Sequence, residues 1–532
     1  MKMSEYYQNN PSNAYAVNQY FRPEEAKKEE VKEETILTKL MKKQFSFFAP
    51  FTAVYALFYA FCLYRNASGI TYPFFVAGTL CYFFLSMKKL GVPYKKDSLF
   101  YIVSILLLGI SNCCTSSPQL LWMNKLGIFL LSFILILHTI YYDAEWNLPK
   151  YLGAILRTIG KTTVCLFSPL TDLASFYDAK KQQKKDKKDN ILYIIIGISC
   201  SIPLLIVMTL LLGSADVVFR NIIENILYFD FSFTEFFRIF FLIAAVFFVS
   251  YALLTALCKK TIPEEISESR KGEPVIAITI TGMLSVLYLL FSFIQIFYLF
   301  IGNMKLPDGY TYAAYARQGF FQLLTVCLIN LILVLVCLHF FKENLILKVI
   351  LTVISGCTFI MILSSALRMF MYIATYHLTF LRIFVLWSLA VIFLLMTGVT
   401  IYIYLQRFPL FFYSVAVVTV FYIGLSFAHP DYWIARYNIA QYNLEASAAG
   451  YDNLDEYSAN SRSEYYLSTL SADAAPILLD ENRNPYYHPG ETESVYWMEN
   501  YCRHLRLDTD KMGVRNFNFS LYYAKNKGKF FD

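Results

Sequence analysis

Gln318-Gly-Phe-Phe-Gln-Leu-Leu-Thr-Val-Cys-Leu-Ile-Asn-Leu-Ile-Leu-Val-Leu-Val-Cys-Leu-His-Phe-Phe341 runs without a single Asp, Glu, Lys or Arg. A hydrocarbon core about 30 Å thick needs about 20 apolar residues at a rise of 1.5 Å each. This stretch satisfies that length. Inside lipid every backbone amide needs a partner in its own segment, so the stretch reads as a membrane-spanning helix. Alternation at period two is absent, which disfavours an outer-membrane barrel.

Ten further segments read the same way: 45–64, 69–87, 98–117, 126–142, 191–212, 236–258, 275–301, 345–367, 380–405 and 408–427. The expected fold class is all-α: a polytopic transmembrane bundle of about eleven spans with a small C-terminal helical domain. Three regions follow: a polar arm (1–44), the transmembrane region (45–427) and a C-terminal domain (428–532). Composition agrees. Apolar residues make up 57% and charged residues 16% of 532. Soluble domains hold about 45–50% and about 25%. With 48 Phe, 42 Tyr and 5 Trp, a soluble fold cannot hide this apolar surface. Collagen, disordered chains and disulfide scaffolds are excluded with it.

Loop charges orient the bundle. The N-terminal arm carries eight basic and seven acidic residues, and no apolar run precedes it, so a cleaved signal peptide is not expected. Counting Lys and Arg, residues 88–97 hold four, 143–190 nine and 259–273 four. The alternating loops hold one each, at Arg65, Lys125 and Arg220. The positive-inside rule places the N-terminus and the 143–190 loop in the cytoplasm and, with eleven spans, the C-terminus outside. Topology therefore explains the net charge of +7, and no nucleic-acid partner is expected.

Within 143–190, Trp146 to Tyr177 mixes apolar residues with Lys150, Arg157 and Lys161. That suits an amphipathic helix on the inner leaflet. The cluster Lys180-Lys181-Gln-Gln-Lys184-Lys185-Asp-Lys187-Lys188 either binds anionic lipid or only orients the next span.

The tail opens at His429-Pro430-Asp431, a helix-start signature, and holds ten basic and fifteen acidic residues. Apolar spacing of three and four predicts packed helices at Tyr432–Ala446, Leu454–Leu470 and Glu493–Leu505. Another is expected to begin between Ala472 and Ala475, because Pro476 fits a first turn. Trp433, Tyr437, Leu467, Leu470, Ile477 and Trp497 are its expected buried positions, and this region would carry any protein partner.

Four stretches raise a family. They are Asp308-Gly-Tyr-Thr-Tyr-Ala-Ala-Tyr-Ala-Arg317, Ser364-Ser-Ala-Leu-Arg368 before Tyr376-His-Leu-Thr-Phe-Leu-Arg382, Asp431-Tyr-Trp-Ile-Ala-Arg436-Tyr-Asn438, and Tyr466-Leu-Ser-Thr-Leu-Ser-Ala-Asp473-Ala-Ala-Pro476. Arg515-Asn-Phe-Asn-Phe-Ser520 follows near the end. Together, over roughly 190–532, they resemble the bacterial membrane family called domain of unknown function 4173, related to the 4153 group. The resemblance implies a bacterial cytoplasmic-membrane protein and supplies no reaction.

Enzyme signatures are missing. The sequence holds no GxSxG, HExxH or Walker loop, and its six His are scattered. Nine of eleven Cys sit in apolar runs and no CxxC occurs, so no metal, cofactor or catalytic residue is expected. The stronger signal is arginine on the side that should lack it: Arg220, Arg238, Arg317, Arg368 and Arg382. Asp216, Glu224, Glu235 and Asp308 lie at the same level. Asp216 would also cap a helix at 217–227. Asp216, Asp308, Arg317, Arg368 and Arg382 form the candidate site. It is either an ion-paired packing network or a concave anion site built from guanidinium forks. Asp308 is the expected partner of Arg317. The expected function is a non-catalytic envelope scaffold or signalling partner. The alternative is a transporter or flippase-like carrier of an anionic small molecule or lipid.

Overall fold

The computed structural model describes residues 34–66, 68–183, 233–264, 270–297, 319–449, 462–487 and 496–528, with a few positions between 201 and 216. It is all-helical there; the one strand-like feature is an isolated bridge between Gly272 and Phe341. A short helix α1 (Ile36–Lys43) leads into α2 (Phe45–Leu63), α3 (Thr71–Lys89), α4 (Ser98–Cys114) and α5 (Pro118–Ile140). Then come α6 (Leu148–Val164), α7 (Ser168–Gln183), α8 (Phe233–Cys258), α9 (Pro274–Gln295), α10 (Phe320–Phe340), α11 (Leu345–Tyr376), α12 (Phe380–Tyr404) and α13 (Leu410–Phe427). The tail holds α14 (Pro430–Ala449), α15 (Arg462–Ser468), a 3-10 turn (Ala472–Ala474), α16 (Ala475–Leu478), α17 (Tyr496–Asp510) and α18 (Phe519–Lys527).

Among the described residues eight helices are long and apolar enough to cross a membrane: α2, α5 and α8 to α13. The chain is thus a multi-pass helical membrane protein. Three expected spans are not among the eight. Helix α4 has 17 residues, about 25 Å, because the Thr115-Ser116-Ser117 turn cuts it short. Helix α3 is less apolar and ends on Lys88 and Lys89. The 191–212 stretch lies mostly outside the described residues, as does most of the basic cluster at 180–188. Helix α5 begins at Pro118, eight residues before the expected 126, because proline is suited to the first helical position. Lys125 is therefore inside a helix and not in a loop.

The helices alternate between two ends. At one end Lys95 Nζ donates to Tyr141 O (2.8 Å) and Arg270 Nη1 meets Glu343 Oε1 (2.7 Å). Lys348 and Gln406 also hold Glu343, and these donors pull its carboxyl down to about 2. This is the end with the basic loops. At the other end lie the short 64–70, 115–117, 377–379 and 428–429 connections, and there the tail docks.

The interior uses small and polar contacts suited to lipid surroundings. A Cβ on Gly109 would come within 3.2 Å of Val76, so α3 and α4 approach closely. Asn330 Nδ2 donates to Thr358 Oγ1 (3.0 Å) between α10 and α11. The tail has its own apolar core, including Ile434, Leu467, Leu478, Tyr486 and Trp497, and Phe380 and Ile383 of α12 pack against it. Leu470 and Ile477 are buried as expected, and Tyr437 is half-buried. Trp433 departs from expectation: it is 49% exposed, with Arg436 over its ring at 5.5 Å. Ile434, Asn438 and Ile439 face inward on α14, which leaves Trp433 on the outer side.

Candidate functional site at the bundle–tail junction

Asp473 sits in the 3-10 turn after Ser471, whose hydroxyl accepts from Asp473 N (3.3 Å). The expected helix start between Ala472 and Ala475 is the position of this turn and of α16. The Asp473 side chain is fully buried. Its two oxygens accept from Thr115 Oγ1 (2.5 Å), Ser116 N (2.9 Å), Ser116 Oγ (3.2 Å) and Ser520 Oγ (2.5 Å). His429 Nδ1 lies 3.1 Å from Oδ2. One carboxylate thus joins the α4–α5 turn, the α13–α14 connection and the start of α18. A buried charge is tolerated only when paired and hydrogen-bonded, and this one is.

The electrostatics follow from these contacts. Burial pushes the Asp473 carboxyl up, but His429, Ser520, Thr115 and Ser116 together outweigh it and hold it below the usual carboxylate range. The hydrogen bond to Asp473 raises the His429 imidazole above its ordinary value. Asp431 differs: burial pushes it up, and donation from Ser471 N (3.2 Å) and Oγ (2.6 Å) does not compensate. Of two neighbouring carboxyls, Asp473 keeps its charge and Asp431 is the one biased towards the neutral acid.

Backbone contacts extend the junction. Asn518 caps α18 through Ser520 N (3.0 Å) and donates to Thr115 O (2.8 Å). Arg515 O accepts from Asn66 Nδ2 (3.1 Å) and Thr71 Oγ1 (3.2 Å), while its Nη1 reaches Phe61 O (3.1 Å). Asn438 exchanges two bonds with Leu378, from Leu378 N (2.8 Å) and to Leu378 O (3.0 Å). Just below, Tyr422, Ser426 and Ser111 converge on buried Asn124, at 2.6, 2.7 and 3.3 Å. Among the described residues, the hydroxyls of Thr115, Ser116 and Ser520 that point at Asp473 are engaged by its carboxylate and not by the His429 imidazole. Among the described residues no group of three His, Cys, Asp or Glu is placed to hold a metal.

The residues picked from sequence lie elsewhere. Arg368 is inside α11, not just past a span, and is buried at 8% exposure. Its Nη2 donates to Gln295 Oε1 (3.3 Å), which also accepts from Ser364 Oγ (2.6 Å). Arg382 donates to the carbonyls of Tyr376 and His377 at the end of α11 and lies 4.4 Å over the Tyr372 ring. Its charge complements the helix C-terminus. Asp216 is exposed. Asp308, Arg317, Arg220 and Glu224, and the helix Asp216 would cap, lie outside the described residues. Glu235 takes Arg238 Nη1 (2.9 Å) and Arg65.

Asp473 is not among the candidate residues picked from sequence, where it stands only within the Tyr466–Pro476 stretch. The available signal was a pair of carboxylates, Asp431 and Asp473, in mostly apolar surroundings with no adjacent basic residue.

The family model for the domain of unknown function 4153 matches residues 102–481. The chain belongs to the DUF4153 family. The DUF4153 match begins earlier than the resemblance from residue 190 and runs from the bundle into the tail. It covers the Thr115–Ser117 turn, His429, Asp431 and Asp473, and stops before Asn518 and Ser520. No curated protein and no solved structure matches.

Proposed function

We propose that this protein is a non-catalytic envelope scaffold or signalling partner of the bacterial cytoplasmic membrane. In this reading the N-terminus is cytoplasmic and the tail lies outside. One observation carries it: buried Asp473 and its donors clamp the tail to the bundle. A tail held this way acts as a fixed platform. Its exposed Trp433, Tyr465 and Tyr496 are residue types enriched at protein interfaces. An apolar groove of about 530 Å³ between α4 and α13, lined by Leu99, Phe100 and Ile423 among others, suits lipid or a helix more than a polar solute. Arg382 bound to carbonyls also fits a packing network better than an anion fork. Anionic lipid at the 180–188 cluster remains part of the proposal.

A photo-crosslinking residue at Tyr496 or Tyr465 in cells should give a discrete protein adduct, whereas one at lipid-facing Trp122 should not. The carrier reading makes the opposite demand. Purified protein in liposomes would move an anionic solute or lipid, and Arg368→Leu would abolish movement while leaving the fold intact. Flux of that kind, with no protein adduct at the tail, would overturn the scaffold reading.

A further inference from the structure

Helix α7 meets the bundle through a buried carboxyl. Asp172, in the second turn of α7, is 3% exposed. It accepts from Tyr251 Oη of α8 (3.0 Å), and Tyr251 is itself fully buried. At the start of α7, Ser168 Oγ donates to Thr255 Oγ1 of α8 (3.1 Å). Further along, the Phe176 ring lies 5.7 Å from that of Phe45 at the start of α2. Helices α1, α2 and α8 all pack against α7.

The groups around Asp172 do not neutralise it. From α8 they are Tyr251 and Cys258, with Lys259 just beyond the helix; from the α1 side they are Glu34 and Lys42. The start of α2, residues 45–51, carries no titratable side chain. Lys42 is bound to Glu34, and Lys259 Nζ is directed at Cys165 Sγ (3.3 Å). Among the described residues Asp172 is in no ion pair, and Tyr251 is its one hydrogen-bond donor. A buried carboxylate with one hydroxyl donor and no paired cation is costly, whereas the neutral acid is not. Burial pushes the Asp172 carboxyl above the usual range, and the Tyr251 bond and the two lysines do not cancel it.

We propose that Asp172 is a proton-operated latch for α7: the protonated acid seats the helix against α8, and the carboxylate loosens it. A carboxyl whose folded value lies above 3.8 contributes its full stability below 3.8 and loses it as pH rises through that folded value. One proton is exchanged, so opening of α7 should increase by at most about tenfold per pH unit within that window and level off above it. The chain continues from α7 into the basic segment at 180–188, so the latch sets how firmly that segment is tethered to the bundle. The device is separate from the tail clamp at Asp473 and does not rest on the scaffold reading.

The test is hydrogen exchange of the full chain in detergent, read by mass spectrometry and corrected for intrinsic rates. It compares peptides from 168–177 with peptides from α17 in the tail. Protection of α7 should fall as pH rises through the window. Asp172→Asn, which keeps an acceptor for Tyr251, should hold it constant and leave the tail peptides as they were. Lys42→Gln removes a cation and frees Glu34, so it should deepen the loss, whereas Lys42→Arg should match the unaltered protein. The latch is overturned if α7 protection in the unaltered protein does not change with pH, or if Asp172→Asn keeps the same dependence. Should that variant fail to fold, the Lys42 pair decides: identical curves for Gln and Arg overturn the proposal.

Discussion

His429 Nδ1 lies 3.1 Å from Asp473 Oδ2, and 44 residues of chain separate the two. His429 has φ of +46°, a conformation that costs a non-glycine residue about 1–3 kcal/mol unless its surroundings impose it. Pro430 begins α14 immediately afterwards, so this bend turns the chain from the last spanning helix into the tail. The imidazole held by Asp473 fixes the turn.

Asp473→Ala should therefore be among the most damaging single changes outside the spans. It strands His429, Thr115, Ser116 and Ser520 donors in a buried site and should cost about 3–5 kcal/mol. Asp473→Asn keeps part of the geometry and should cost less. Thermal unfolding in detergent, with limited proteolysis of the tail, reads both; unchanged Tm in the Ala variant would remove the clamp from the proposal.

Stability should also depend on pH. His429 is raised above 6.5 by Asp473, so its contribution is complete below 6.5 and fades as pH rises through the higher folded value. Asp473 is lowered below 3.8, so its contribution is present above 3.8 and is lost as pH falls through the lower folded value. Asp431, raised by burial, adds a further loss as pH rises above 3.8. The junction should be firmest between these limits and loosen towards alkaline pH. His429→Ala should flatten the alkaline side of a Tm-against-pH curve; a curve identical to that of the unaltered protein would contradict the assignment.

Gly69 has φ of +140°, and a Cβ there would meet Asn516 Cα at 2.6 Å. Gly69→Ala should cost about 1–3 kcal/mol from strain and displacement of the 515–516 backbone. The prediction is specific in place: proteolytic cleavage should increase near residues 511–518 and not in the loops at the basic end.

A reporter placed after residue 180 should label as cytoplasmic and one at residue 532 as external. Labelling of both on one side would break the proposed orientation.

How much of this was legible beforehand varies residue by residue. The run at 318–341 announced a helix because lipid leaves its amides no other partner, and α10 occupies it. The Pro430 helix start was local as well, because proline carries a fixed φ suited to a first turn. The full length of α11 was not legible, because Arg368 ends the apolar run by hydropathy even though no breaker stops the helix before Tyr376.

By itself the sequence determined an all-helical multi-pass chain, since helix formation in lipid depends on the composition of each segment alone. Only the tertiary structure decided which polar groups meet. Thr115, His429, Asp473 and Ser520 are ordinary residues in four separate stretches, and none signals the others by spacing. Their site exists because antiparallel helices bring their connections to one end and the tail folds back over it. Desolvation there makes pairing compulsory. The same logic turned Trp433 outward: its neighbours on α14 fixed which face was buried, a choice that hydropathy does not encode.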